Sequence, residues 1–499
     1  MDVWTSMAYG FGVALSPMNL VYALLGAVIG SMIGVLPGIG PVSGIAILIP
    51  LLHGLPPASA MIMLTALYYG TMYGGSTTSI LLKVPGEASS VVTTLDGFEM
   101  ARAGRAGSAL AIAAIGSFLA GTISILLLML FAVPLIRVAL TFGPAEYFGV
   151  MLLGLSSVTS LAGRSLVKAL IATVLGLMIA TVGVELSTGV ARYTFGLPQL
   201  MDGVSFVTVA IGLFAVSEVL LAAQGMDGAG VARARLGRVW ISWTEFRQSL
   251  GAILRGTGIG FYIGVLPAAG ATIASFLAYN LEKRLARNPE RFGRGDIRGV
   301  AAPESANNAA AVGNMVPLLT LGLPGSSTTA LMLGALMMLG VQPGPLLYQK
   351  HPDVFWGVIA SMYVGNLVLL VLNLPLVGLF VRILLVPPRI LYPLVLAVSL
   401  VGIWGVNQNV LEVWVGLGAG VLGYYMRRQD YPLAPCVLGL VLGGLLEQSL
   451  RQALVLSDGS WAVLVTRPVS AALLALSALS LAAPYLLTTL RRARGGVAV

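Results

Sequence analysis

The chain has 499 residues, of which 57% are hydrophobic and 9% charged, with 62 glycines and a formal net charge of +9. Soluble domains carry about a quarter charged residues, and here apolar stretches recur along nearly the whole chain at lengths near the roughly 20 residues that cross a bilayer. That excludes a soluble enzyme core, and because Lys and Arg lie in short clusters between apolar spans, they read as cytoplasmic anchors rather than a nucleic-acid surface.

No basic residue precedes Lys83, so the N-terminus lacks the positive region of a secretory signal and is expected on the outer side of the membrane. Predicted apolar segments then follow at Asn19 to Leu36, Ala58 to Tyr73, Ser108 to Val133, Tyr147 to Leu161, Val167 to Val184 and Val204 to Ala223. A basic stretch with Arg233, Arg235, Arg238 and Arg247 separates these from a second series: Ile253 to Leu266, Thr272 to Leu281, Ala306 to Leu321, Thr328 to Leu339, Val354 to Val381, Leu391 to Val406, Val410 to Tyr425, Pro432 to Leu446 and Val469 to Leu490. The expected fold is an all-α polytopic membrane protein with roughly 10 to 12 crossings. Its expected parts are a first transmembrane repeat (1–224), a cytoplasmic linker (225–250), a second repeat (251–466), and an extra C-terminal helix with a basic tail (467–499). Cys436 is the single cysteine, which leaves no internal disulfide and no Cys-based metal site.

The two series are copies. IGSMIGVLPGIG at Ile29 to Gly40 matches IGFYIGVLPAAG at Ile259 to Gly270 at eight of twelve positions, an offset of 230. A second match sets Gly74, Pro85 and Gly86 against Gly313, Pro324 and Gly325, an offset of 239. The nine extra residues fall in the charged loop Glu282 to Arg298, whose six basic and three acidic residues place it in the cytoplasm. Arg102 and Arg105 follow the first PG motif, whereas the counterpart near Gly340 to Asp353 carries only Lys350 against Asp353. Equivalent loops on opposite sides mean an inverted-topology repeat, with the N-terminus outside and the C-terminus, with Arg491, Arg492 and Arg494, inside.

Gly and Pro within the most apolar part of each copy, in LPGIGP and PGEASS, interrupt the helix. Broken backbone at membrane depth is tolerated only inside protein or along a wet cavity, and paired interruptions in two repeats point to a carrier's binding site. Hydroxyls and free N–H groups after the breaks suit an anion. The candidates are Ser76, Thr77 and Thr78 after a Gly pair, Ser89 and Ser90 after Pro85 and Gly86, and Ser326, Ser327, Thr328 and Thr329 after Pro324 and Gly325, each read as an N-cap candidate. Asn307 and Asn308 add amide groups that hold substrate or a cation, and simple helix capping competes with each single assignment.

The segments GVLPGIGP, YGGSTTSILLKVPGEASSVVTTLDGFEMARAGRAGSAL, GVLPAAGATIASFLAYNLEKRL, GVAAPESANNAA and LTLGLPGSSTTALMLGAL together resemble the large membrane subunit, the TctA-like permease, of tripartite tricarboxylate transporters. The resemblance covers nearly the whole chain. It implies a bacterial inner-membrane carrier that takes carboxylates from a periplasmic solute-binding protein, works with a small membrane subunit and uses a cation gradient. One departure is Lys83, which stands where the family pattern has a small polar residue, often Asn.

Lys83, Glu87, Asp96 and Glu304 are the ionisable residues nearest the breaks. Charge at depth costs at least about 2.5 to 3.5 kcal/mol, so function is the default reading. Lys83 is a candidate for the substrate, and Glu87, Asp96 and Glu304 for the coupling ion. Against this, Lys83 and Glu87 could neutralise each other, Asp96 could cap the turn at Gly97, and Glu304 could cap a helix starting at Ser305. Backbone carbonyls around Gly38, Gly40, Ala269 and Gly270 are further candidates for Na+, with H+ as the alternative coupling ion. No other cofactor is expected: no Gly-Lys pair occurs, which excludes a standard P-loop, and metal ligands are lacking. The GxxxG spacings at Gly26, Gly30 and Gly34 and at Gly260 and Gly264 read as close helix packing. A carboxylate-selective channel is the runner-up, and an intramembrane enzyme the third reading, for which no nucleophile and base pair is seen. A homo-oligomer is compatible with the sequence, and the particular carboxylate is not legible in it.

Overall fold

The structure is a computed structural model that describes residues 3–36, 40–156, 158, 165–185, 189–223, 239–266, 270–383 and 388–495. The first half runs α1 (Val3–Ala14), α2 (Pro17–Val35), α3 (Gly40–Leu48), α4 (Pro57–Leu82), a 3-10 turn Ala88–Ser90, α5 (Thr93–Arg102), α6 (Ala106–Ala139), α7 (Pro144–Ser156) and α8 (Leu166–Ala180). A hairpin pairing Gly183–Val184 with Ala191–Arg192 leads to α9 (Phe206–Ile211), which passes through a π turn into α10 (Ser217–Ala222). The second half runs α11 (Trp243–Val265), α12 (Gly270–Leu285), α13 (Arg298–Gly313), α14 (Met315–Leu321), α15 (Ser327–Met338), α16 (Pro345–Lys350), α17 (Pro352–Asn373), α18 (Val377–Ile383), α19 (Pro388–Asn407), α20 (Val410–Arg428), α21 (Leu433–Leu456), α22 (Val463–Thr466) and α23 (Pro468–Gly495). Among the described residues, α2, α6, α17 and α21 are each long and apolar enough to cross a membrane, and several others are shorter apolar helices. The protein is an all-α, multi-pass membrane protein.

Glycine sets the closest packing. A Cβ on Gly30 or Gly34 of α2 would run into the backbone of Leu67 or Thr71 on α4, and a Cβ on Gly260 or Gly264 of α11 into Ala306 or Ala310 on α13. These are the same contacts displaced by the two sequence offsets, 230 for the glycines and 239 for the carbonyls they meet. The correspondence extends further. Leu36 and Leu266 end α2 and α11 with the same backbone bond, and Gly40 and Gly270 open α3 and α12 at φ 51 and 68. Across the halves, α6 packs on α13 and α17 packs on α4.

The helices α4 and α13 are enclosed on all sides: nearly every residue from Ala58 to Leu81 and from Gly299 to Gly313 is buried. Around them, α7, α8, α21 and α23 form a flank in which Gly176 and Gly439 let α8 and α21 touch backbone to backbone.

The sequence-based expectations change at five places. Helix α4 runs unbroken through Gly74 and Gly75, so Ser76, Thr77 and Thr78 lie in its interior and are not N-caps. The reason is packing: Gly74 is needed because Ser31 and Val35 of α2 press on it, and Gly75 because Glu87 does. Helix α13 is continuous through Pro303, so Glu304 is not a cap before Ser305. Pro303 falls early in that helix, where it costs a single backbone bond to Gly299. Helix α11 starts at Trp243, capped reciprocally by Ser242 and Glu245, inside the stretch expected to be linker through residue 250. The rest of that stretch, 225–238, lies outside the described residues, as do Gly38 and Ala269. Helix α1, too short to register as a span, packs Gly10 against Trp356 of α17. The small β hairpin was not expected either.

Candidate functional site

The two PG loops converge on α4 and α13. Each loop follows a left-handed residue at a helix end: Lys83 at φ 59 and Gly322 at φ 71, again 239 apart. Each loop then opens with a capping box, Glu87 with Ser90 in the first and Ser326 with Thr329 in the second. The reciprocal cap holds the backbone after each proline without an uninterrupted helix.

Three polar groups occupy this buried region. In the first, Glu87 Oε1 accepts from Ser89 Oγ (2.5 Å) and from Asn307 Nδ2 (2.8 Å), while Ser90 Oγ donates to the Glu87 carbonyl and receives a bond from Ser79. In the second, the Glu304 carboxylate accepts from Ser76 and Thr93, one on each oxygen, and Asn308 Nδ2 donates to Ser117 Oγ (2.7 Å) and to the Glu304 carbonyl (3.2 Å). In the third, Asn314 Nδ2 donates to the Tyr68 hydroxyl (3.1 Å), and Gly325 of the second loop lies against the Asn314 side chain. Ser76 meets Glu304 while Tyr68 meets Asn314, so α4 and α13 run antiparallel where they touch.

Glu304 is fully buried and Glu87 is 8% exposed, yet among the described residues no basic side chain bonds or ion-pairs with either. Hydroxyls and one amide are their only side-chain partners. A buried carboxylate without a cation is costly, so the pair is chemically a place for protons or a small cation. Among the described residues the side-chain oxygens of Asn307 and Asn314 are buried without a hydrogen-bond partner, two acceptors that suit such a charge. The cavity bounded by Tyr73, Ser76, Thr77, Ser117 and Asn373 is only about 10 Å³, room for no more than one water. That space beside Ser76 is too small for a ligand of several heavy atoms in this conformation.

The remaining candidates divide. Thr77 and Thr78 are buried beside this region, and Thr78 faces Gly86. Thr328 is buried and Ser327 half-buried at the start of α15. Lys83 is not brought in: its side chain is 55% exposed, 3.8 Å from Glu99 and over the Phe98 ring, and it does not pair with Glu87. Its left-handed backbone favours Gly or Asn, consistent with glycine at the equivalent position.

Asp96 serves another purpose. Its carboxylate accepts from the backbone N–H groups of Gly293, Gly295 and Asp296 and from the Tyr279 hydroxyl, all at 2.8 to 2.9 Å. Four donors fill a carboxylate's acceptor capacity, so Asp96 braces the loop found only in the second half. Within that loop, burial pushes the Asp296 carboxyl up, but hydrogen bonds and charge from Arg298 outweigh it and leave it below the ordinary aspartate value.

Sequence reasoning missed Tyr68, Thr93, Ser117, Asn314 and Asn366. Asn366 accepts from Tyr73 and donates to the Phe118 carbonyl, joining α4, α6 and α17. Asn314 carried the clearest signal, since it stands in GN where the first copy has GG.

A buried polar centre beside two interrupted segments, inside a sheath of apolar helices, is the arrangement of a membrane transporter. The chain belongs to the tripartite tricarboxylate transporter TctA family, whose model matches residues 20–438. It is 46% identical over 475 residues, 95% of each chain, to a protein of Agrobacterium vitis described as the uncharacterized 52.8 kDa protein in the TAR-I ttuC' 3' region. It is also 48% identical over 217 residues, 44% of this chain and 90% of the relative, to an uncharacterized protein of the TAR-II ttuC' 3' region of the same organism. No solved structure matches the chain.

Proposed function

We propose that this protein carries a carboxylate into the bacterial cell across the inner membrane by cation-coupled secondary transport, receiving it from a periplasmic binding protein and acting with a small membrane subunit. The observation that carries the reading is that both PG loops reach antiparallel α4 and α13, the first of them beside two buried carboxylates that have no cationic partner among the described residues. Repeated packing at the two offsets and the α6 to α13 and α17 to α4 exchange support an inverted repeat about a pseudo-two-fold axis in the membrane plane.

In this reading the substrate carboxylate is held by N–H and hydroxyl groups of the two loops, Ser89, Ser90, Ser326, Ser327, Thr328 and Thr329, with Asn307 and Asn308 beside them. Glu87 and Glu304 take the coupling charge, Na+ or H+, and release it with the solute. Alternating access follows in this reading, with the unit bearing both PG loops moving against α6, α17 and the flanking helices in an elevator-like step. A channel needs no such moving unit.

The test is uptake of labelled di- and tricarboxylates into proteoliposomes holding the full chain with its small subunit and loaded binding protein, under imposed Na+ or proton gradients. Saturable, counterflow-competent accumulation driven by one gradient is expected. Uptake indifferent to both gradients would overturn symport, and non-saturable flux would favour the channel.

A further inference from the structure

A second binding region lies outside the transport centre, where the second-half loop meets the starts of α6 and α11. A cleft of about 540 Å³ is walled there by Arg105, Gln248, Glu290, Arg291, Arg294 and the Gly295 backbone. We propose that this cleft binds the phosphodiester headgroup of an anionic phospholipid. The inference goes beyond the transport reading and does not depend on which solute is carried.

Charge comes first. Asp296, which also borders the cleft, is held by two bonds from Arg298 (3.0 and 2.8 Å), and Glu282 at the start of the loop is held by Arg255. The Arg291 and Arg294 side chains are exposed and make no hydrogen bond or ion pair among the described residues, leaving two guanidinium groups against Glu290 and the already paired Asp296. Arginine's planar fork matches a phosphate in a bidentate manner, which a lysine cannot do.

The walls are also built rather than loose. Asp96 ties down the backbone of Gly293, Gly295 and Asp296. Arg105, at the N-cap of α6, reaches the Gly295 carbonyl (3.4 Å) and Glu245 (3.3 Å). Three separate elements thus fix the cleft before any ligand enters, which lowers the ordering cost of binding.

Depth favours a lipid over a soluble ion. Trp240 and Trp243 are 57% and 74% exposed at the start of α11, and Trp243 stacks on Phe246 at 5.4 Å. Exposed tryptophans where an apolar segment begins are a mark of the headgroup level, and Leu254 further along α11 is exposed as well. Basic clefts at that level between membrane helices suit anionic headgroups.

The experiment compares the full chain with Arg291→Gln/Arg294→Gln and with Lys283→Gln/Arg284→Gln, which removes two exposed cations of the same loop that do not line the cleft. Each protein is incubated with mixed micelles of phosphatidylglycerol and phosphatidylcholine, and retained lipid is counted by native mass spectrometry. The cleft variant is expected to hold phosphatidylglycerol about thirtyfold more weakly, from roughly 1 kcal/mol of headgroup attraction lost per arginine, while the control variant stays near the unchanged protein. Equal weakening in both variants, or none in the cleft variant, overturns the proposal. Displacement of the lipid by millimolar inorganic phosphate also overturns it, by assigning the cleft to a soluble anion. Thermal unfolding without lipid checks the fold, and if the double variant unfolds, Arg294→Gln alone is read in its place.

Discussion

Asn307 donates to Glu87 across 2.8 Å, and the two positions displaced by 239 residues, Tyr68 and Ser326, are also neighbours beside Asn314. The same architectural contact therefore carries a carboxylate in one copy and a hydroxyl in the other. Both carboxylates, Glu87 and Glu304, gather around the first PG loop and α5, which makes the two loops chemically unequal although their backbones correspond.

That inequality predicts separable defects. Glu87→Gln and Glu304→Gln keep side-chain size and should leave the protein folded, while removing the charge that a coupling ion neutralises. Gradient-driven accumulation should fall by about tenfold or more, because a charge-assisted contact is worth roughly 1.5 to 3 kcal/mol. Glu304→Ala should also lower thermal stability by about 1 to 3 kcal/mol, since Ser76 and Thr93 lose their acceptor. Normal coupled uptake by both glutamine variants would remove these carboxylates from the mechanism.

Ser89→Ala and Ser327→Ala probe the loops themselves. Each should weaken carboxylate uptake by about tenfold, the loss of one hydrogen bond to a charged group, without lowering the amount of protein in the membrane. Wild-type rates for both would place the substrate elsewhere.

Glycine contacts give a prediction about stability alone. Gly260 lies against Ala306 of α13, whereas Gly258, two residues earlier on the same helix, has open space around it. Gly260→Ala should destabilise by about 1 to 3 kcal/mol through overpacking, and Gly258→Ala should stabilise by up to about 1 kcal/mol through helix propensity. Thermal unfolding of both variants in detergent gives opposite signs if α11 and α13 touch as described.

Lys83 tests backbone against side chain. Its left-handed conformation costs about 1 to 2 kcal/mol for a non-glycine residue, and its exposed ammonium meets Glu99 and the Phe98 ring at the surface. Lys83→Gly should therefore leave uptake within a factor of about two and raise stability by up to about 1 kcal/mol. A large transport loss would assign the ammonium a role that its exposure argues against.

The sequence carried the helices well because apolar runs and the repeated GVLP segments are strong signals: α2 lies close to its expected bounds and α6, α17 and α21 begin close to their expected starts, although α6 and α21 run on past their expected ends and α17 stops short, with α18 separate. It misread Gly74, Gly75 and Pro303 because glycine and proline mark both breaks and close contacts, and only the neighbouring helix decides between them. Glu87, Glu304, Ser76, Ser89 and Asn307 were legible as rare polar groups at depth and do come together. Asp96 and Lys83 were singled out by the same rule but face the 293–296 loop and the surface instead. What a linear reading lacked was the partner: no local pattern says that Thr93 reaches Glu304 or that Tyr68 reaches Asn314.

The orientation of the two copies is the remaining prediction, and the chain is well suited to test it. Cys436 is the single cysteine and is fully buried, so a membrane-impermeant maleimide should find little background in the unaltered protein. Ala103 is exposed in the turn that follows the first PG unit, and Gln349 is exposed near the end of α16, which follows the second. With inverted copies, Ala103→Cys reacts only when the reagent reaches the cytoplasmic face and Gln349→Cys only when it reaches the outer face. Arg102 and Arg105 beside the first site, against a lone Lys350 offset by Asp353 beside the second, give the charge bias that sets this arrangement. Labelling of both sites from the same side would mean that the copies are parallel, and the pairing of α4 with α13 would then need an axis other than one in the membrane plane.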